Sequence, residues 1–476
     1  MADAPSQSTF GGGSPGQPEP GGSPRNWSEY WRCELRPTLS LGLPMAGAQV
    51  AQIAVNTTDV LMIGWLGATE LAAAVLAFNL YIVVWLFGIG VLQAVIPLAA
   101  RARGQKRPRD LRRAVRMGFW FVAIYSLPVM VLLWFTEDLL LALGQAPDVA
   151  ALSGQYMQVM LFGFMPSLMT MALRSFISVM EKAQVVLWAT IAGAIANAIF
   201  DYCLIFGHFG MPRLELIGAG IASVGTATVT FLLLVVWSAR DRQLRRYAIF
   251  GRIWRSDWPK LAEIVRLGWP IAVTLLMEVA LFSASSVMMG WIGTIQLAAH
   301  GIALQLASIT FMVPLGLGQA AMIRIGLAAG RRDLGAVGRA GWTALAVSGA
   351  FMGVCAIMLW VMPEPFVRLF LDLRNPDAMQ VLTIGISFVF MAALFQIFDG
   401  AQVVAGNILR GLSDTKVPMV IAVIGYWGVG FTLAYVLGFT LDFGGLGIWA
   451  GLASGLALVA VVSIWRFAQR ERYGLI

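Results

Sequence analysis

The stretch Leu43 to Leu80, LPMAGAQVAQIAVNTTDVLMIGWLGATELAAAVLAFNL, narrows the folds open to this chain more than any other. Its apolar runs are long enough to cross a hydrocarbon layer of about 30 Å, for which about 20 helical residues suffice. A carboxylate, Asp59, nevertheless lies inside the first run. The stretch also recurs at an offset of 226 residues. Pro44 falls over Pro270, Gly64 and Trp65 over Gly290 and Trp291, Gly67 over Gly293, and Leu71-Ala72-Ala73 over Leu297-Ala298-Ala299. The second copy has its own carboxylate, Glu278, but over Gln52; the echo of Asp59 is Ser285. Lipid cannot bond free backbone groups, so repeated apolar spans predict a helical bundle built twice.

Composition excludes an ordinary soluble domain. Hydrophobic residues make up 59% of the 476 and charged ones 12%, where a soluble chain carries about a quarter charged. The net charge of +8 does not point to nucleic acid, because the basic residues cluster in loops that flank the spans. Cys33, Cys203 and Cys355 are scattered and form neither a disulfide framework nor a zinc pattern. No GxxxxGK[ST] loop, HExxH, GxSxG or paired-Asp motif occurs, so a transport cycle would draw on an ion gradient rather than nucleotide hydrolysis, with no cofactor.

The Gly-, Pro- and Ser-rich segment 1–26 has the composition of a disordered tail and lacks the layout of a cleaved signal peptide. Twelve helices are expected near 40–66, 71–100, 115–136, 151–172, 184–207, 216–238, 267–292, 297–326, 340–362, 381–408, 417–440 and 444–466. The loops sort by charge. Arg101, Arg103, Lys106, Arg107, Arg109, Arg112, Arg113 and Arg116 follow the second helix, and a second basic block spans Arg240 to Arg266. Arg331, Arg332 and Arg339 follow the eighth helix, Arg410 and Lys416 the tenth, and Arg466, Arg470 and Arg472 the last. Glu70, Glu137, Asp138, Asp148, Glu215, Glu364 and Asp442 dominate the opposite loops. Both termini are therefore expected in the cytoplasm of a bacterial cell, with the chain in the inner membrane. The expected organisation is a cytoplasmic tail (1–37), an N-terminal six-helix bundle (38–239), a basic cytoplasmic linker (240–266), a C-terminal six-helix bundle (267–467) and a short tail (468–476). An even number of spans per half makes the halves run parallel, an arrangement that places a transported species between them.

Carboxylates within the apolar spans are Asp59, Asp201, Glu278 and Asp399. Each costs roughly 2.5–3.5 kcal/mol at the bilayer centre, so they are candidate cation or proton sites. Asn197 stands one turn before Asp201 and joins Asp59 and Asp201 in a possible oxygen cluster; Gln402 stands almost one turn after Asp399. The structural alternative is that each acid only bonds a neighbouring helix. The 23 Met and 27 Phe suit a pliable pocket for varied ligands, although such residues in a membrane mostly pack. Gly64, Gly67, Gly88 and Gly90, with Gly290, Gly293 and Gly316, are expected at close helix contacts or bends. His208 and His300 lie near helix ends and carry no evident chemistry.

Four segments carry a resemblance: VNTTDVLMIGWLG, NAIFD, MEVALF and FDGAQVVAGNILRGLSDTKVPM. With twelve helices in two parallel halves, the chain resembles the multidrug and toxic compound extrusion (MATE) family of cation-coupled antiporters across nearly all of residues 38 to 467. The resemblance implies an all-α polytopic transporter, not an enzyme. It would act as a monomer and export cationic or amphipathic small molecules in exchange for H⁺ or Na⁺. It implies coupling residues at Asp59, Asn197 and Asp201 in the first half and Glu278 and Asp399 in the second, the latter pair a possible Na⁺ site. Sodium-coupled relatives often place a tyrosine one turn before the last of these acids. Here that position is Phe395, which removes an oxygen ligand. The rivals are a lipid-linked precursor flippase, which would be expected to use a cationic cleft, and an integral membrane transferase, which needs a sizeable catalytic loop.

Overall fold

A computed structural model describes residues 27–475 apart from 252, 372, 373 and 375; segment 1–26 lies outside the described residues. Twelve helices among the described residues are long and apolar enough to cross a membrane. They are α1 (Ser28–Gly64), α2 (Ala68–Gly104), α3 (Pro108–Trp134), α4 (Pro147–Val179), α5 (Ala183–Phe206) and α6 (Glu215–Arg240), then α7 (Trp258–Ile292), α8 (Thr294–Arg331), α9 (Leu334–Val361), α10 (Ala378–Gly411), α11 (Lys416–Thr440) and α12 (Gly444–Ala468). No strand occurs among the described residues. The chain is a multi-pass membrane protein of two parallel six-helix lobes.

Two boundaries differ from the sequence expectation. Residues 28–37, expected in the tail, form the first turns of α1, and α7 begins at Trp258 inside the expected linker. Charged residues interrupt hydropathy in both places, but they are held by partners. Glu34 is only 3% exposed. Its carboxylate receives Arg324 Nη2 at 2.7 Å from α8 and Arg339 Nε at 2.8 Å from α9, and Arg324 also donates to the Cys33 and Glu34 carbonyls. The start of α1 is thus fastened to the opposite lobe. At α7, Asp257 caps the first turn through the Lys260 amide and pairs with Arg113 of α3.

The 226-residue offset reappears as a two-fold relation in space. A Cβ on Gly90 would strike the backbone of Ala272, and one on Gly316 would strike Ala46; Gly42 abuts Leu317 as Gly268 abuts Val91. Gly104 lies against the Leu327 carbonyl and Gly330, while Gly330 lies against the Arg101 carbonyl and Gly104. Each contact is the twin of another, the pattern of an isologous interface within one chain. All involve the beginnings of α1 and α7 and the ends of α2 and α8, which share the membrane face bearing the termini. Residues 91–100 of α2 are buried on every side, whereas exposed positions recur along 68–87. Lobe contact is therefore concentrated at the terminus-bearing end. One apolar core crosses it, joining the first lobe to Ile264, Ile271 and Ala272 of α7 and to Ala320, Met322 and Ile323 of α8.

The contact allows two tests. Gly104→Val should lower the melting temperature of purified protein and reduce the yield of folded protein, with about 1–3 kcal/mol lost to overpacking. Gly353→Ala, where a Cβ meets nothing within 4 Å, should leave both unchanged. A second test uses pH. The hydrogen bond from Arg113, with the Lys260 amide, holds the Asp257 carboxyl below the usual range. A depressed carboxylate stabilises the fold above its unfolded pKa, and that stabilisation is lost as pH falls through the lower folded value. Asp257→Asn should accordingly lower the melting temperature at neutral pH, by an amount that narrows as pH approaches about 3.

Candidate functional site

The first lobe gathers its acids where α1 meets α5. Asn197 and Asp201, one turn apart on α5, are fully buried. Asn197 Nδ2 donates to Asp59 Oδ1 at 2.9 Å, and the Asp59 carboxyl lies within electrostatic reach of Asp201. No donor reaches Asn197 Oδ1 or either oxygen of Asp201. Oxygens thus converge with a single N–H between them. Adjacent carboxylates share a proton, or both carry charge when a cation lies between them. Tyr156 of α4, buried and within electrostatic reach of both acids, was not singled out from the sequence.

The second lobe assembles a different set. Gln402 Nε2 of α10 donates to Glu278 Oε1 of α7 at 3.0 Å and to Asp399 Oδ1 at 3.3 Å. Its Oε1 accepts from the hydroxyl of Tyr426, a residue of α11, at 2.8 Å. One amide therefore joins three helices. Glu278 and Asp399 border a cavity of about 150 Å³ lined also by Phe282, Phe311 and Phe395. Phe395 packs edge-on against Phe282 and Trp449, with centroids 5.9 and 5.4 Å apart. The oxygen absent at Phe395 has a counterpart in Tyr426, but that hydroxyl meets Gln402 rather than a carboxylate. The one available signal was a tyrosine inside the apolar, glycine-flanked run IGYWGVGF.

Sequence position alone misplaced Arg410. Expected in a loop, it ends α10 at 8% exposure and donates from Nη1 to Gln93 Oε1 of the other lobe at 3.3 Å. It lies within electrostatic reach of Glu278. Pro97 supplies no amide to the Gln93 carbonyl, and the helix is interrupted at Ala94, beside this contact. The echo of Asp59 also has company. Ser285 Oγ lies 3.2 Å from Nε2 of His300, a buried residue set edge-on to Trp449 rather than a bystander at a helix end. His208, by contrast, stacks on Tyr202 at the surface, with centroids 4.3 Å apart. Among the described residues no three His, Cys, Asp or Glu side chains cluster as metal ligands.

The MatE family model matches residues 44–203 and 270–436, one segment in each lobe. The probable multidrug resistance protein NorM of Rhizobium meliloti (strain 1021) is 46% identical over 442 residues, 93% of this chain and 95% of that one. Its namesake from Brucella suis biovar 1 (strain 1330) is 45% identical over 444 residues, 92% and 94% of the two chains. The eukaryotic MATE transporter AtDTX14 shares the fold with a TM-score of 0.81 at 18% identity, covering 94% of this chain and 100% of that one. A MATE structure in the straight conformation does so with a TM-score of 0.83 at 18% identity, covering 92% and 96%. Two lobes, each with a matched segment and an intramembrane acid cluster, and relatives aligned over nearly the whole chain lead to one assignment: this chain belongs to the MATE family.

Proposed function

We propose that the chain is a secondary active multidrug efflux antiporter of a bacterial inner membrane, with both termini cytoplasmic. It exports cationic or amphipathic organic compounds in exchange for H⁺ or Na⁺. The observation that carries this reading is the pair of unlike acid clusters, one per lobe, in a chain 46% identical to a probable multidrug resistance protein. Both acid clusters belong to one chain, which supports a monomer as the working unit.

The clusters divide the work. Between Glu278 and Asp399 an amide N–H₂ already occupies the place a cation would take. At Asp59, Asn197 and Asp201 the unpartnered atoms are acceptors, which suits a loaded proton or Na⁺. The aromatic wall of the cavity beside Glu278 and Asp399 suits an organic cation, through ring faces and carboxylate charge together. Acidic lining favours such cargo over the phosphates of a lipid-linked precursor. In the described conformation the lobes meet at the terminus-bearing end, so release goes to the opposite side. Loading of the first-lobe acids lowers affinity for the cargo in the second lobe, and a membrane potential supplies about 2.3 kcal/mol per charge per 100 mV.

Dye efflux from reconstituted vesicles should depend on an imposed pH or Na⁺ gradient; export at the same rate without either gradient would refute the antiport reading. Asp59→Asn, Glu278→Gln and Asp399→Asn should each cut gradient-driven efflux at least tenfold, and wild-type rates in all three would sink the site assignment. Tyr426→Phe removes one hydrogen bond worth about 1 kcal/mol and frees the Gln402 amide. It should shift the half-saturating dye concentration about fivefold while leaving the melting temperature within a few degrees.

A further inference from the structure

A second and larger cavity, of about 680 Å³, opens at the terminus-bearing end, away from both acid clusters. The first lobe contributes the end of α2 and start of α3; the second contributes the start of α7 and the α10–α11 loop. Its charge is unbalanced. The acids on its wall are already engaged: Asp110 by Arg107 and Arg113, Glu263 by Lys260 at 2.6 Å, and Asp414 by Arg466 at 2.6 Å. Arg101, Arg266 and Lys416 line the same space, and no ion pair reaches them among the described residues.

The local backbone adds to this. Thr415 and Lys416 stand at the N-terminus of α11, where the Lys416 and Val417 amides have no carbonyl of their own helix to bond; Pro418 carries no amide hydrogen, and the Met419 amide donates to the Thr415 carbonyl. Thr415 does not cap them; its Oγ1 is buried without a hydrogen-bond partner, at 4% exposure for the residue. Uncapped amides beside three free cations are the donor set that holds a phosphate. Apolar atoms of Leu98, Leu267 and Val417 share the wall, so the ligand meets hydrocarbon next to charge.

We propose that this cavity binds an anionic phosphate group, held jointly by Arg101 from the first lobe and Arg266 and Lys416 from the second. The bound group bridges the lobes on the side where they touch, and so stabilises the conformation described above. A phospholipid headgroup from the adjoining leaflet and free phosphate from solution would satisfy the same donors. The assignment does not depend on the antiport reading, because its readout is binding rather than transport.

The test uses full-length protein in neutral detergent. Melting temperature is followed while inorganic phosphate, phosphatidylglycerol or phosphatidylcholine is added, and retained lipid is weighed by native mass spectrometry. Phosphatidylglycerol should stabilise the wild type and phosphatidylcholine should not. The triple variant R101Q/R266Q/K416Q should weaken this response about tenfold or more, since basic residues near the surface supply the attraction to an anionic lipid. T415V should weaken it without any change of charge. Stabilisation by inorganic phosphate as well assigns the source to solution; stabilisation by phosphatidylglycerol alone assigns it to the membrane. R242Q/R245Q/R246Q, which removes equal charge from exposed positions outside the cavity, should respond as the wild type does. An equal loss in both triple variants, or no response to either anion in the wild type, would overturn the proposal.

Discussion

Hydrocarbon solvates neither a free charge nor a free amide, and several charged groups in this chain's spans are arranged around that fact. Glu34 meets two arginines, Arg410 meets a glutamine, and Glu278 and Asp399 share the two donors of a single amide. Apart from Asp399, whose Gln402 shares its helix, the partners come from other helices, and for Glu34 and Arg410 from the other lobe. Polar pairing therefore fixes the relative placement of helices that apolar contacts alone would leave free to slide.

Against this background the first-lobe cluster differs in kind. Asp201 is as deeply buried as any core residue, yet its oxygens receive no donor. The second lobe has resolved the same problem with Gln402 and Tyr426, and the place equivalent to Asp59 with Ser285 and His300. A duplicated frame thus carries two unlike solutions. One leaves acceptor capacity open, and the other closes it with an amide that ties α7, α10 and α11 together.

Much of this was legible in the sequence because the bilayer sets a simple rule: about 20 apolar residues per crossing and charge in the loops. Both apolar runs and the 226-residue offset followed from that rule, and Gly90 and Gly316 were marked by their shared register. What escaped were residues whose hydropathy contradicts their location. Arg410 reads as a loop charge, and Glu34 and Arg324 draw no notice, because their partners lie some 290 to 320 residues away along the chain. Tyr426 was hidden for the opposite reason, since a tyrosine in an apolar run is ordinarily packing, and only the fold brings Gln402 to its hydroxyl.

The glycines of the lobe contact have a mechanical consequence. At Gly104 and Gly330 main chain meets main chain, with carbonyl oxygens against α-carbons. Such a contact has no rotamers to adjust and no side-chain freedom to lose, so it cannot yield by degrees. Any reorientation of the lobes would have to roll on this contact or part from it, since tight packing leaves little room to deform. Widening at either glycine would also draw Glu34 away from Arg324. The hard bearing and the charged clasp thus join the same two lobes at the same membrane face.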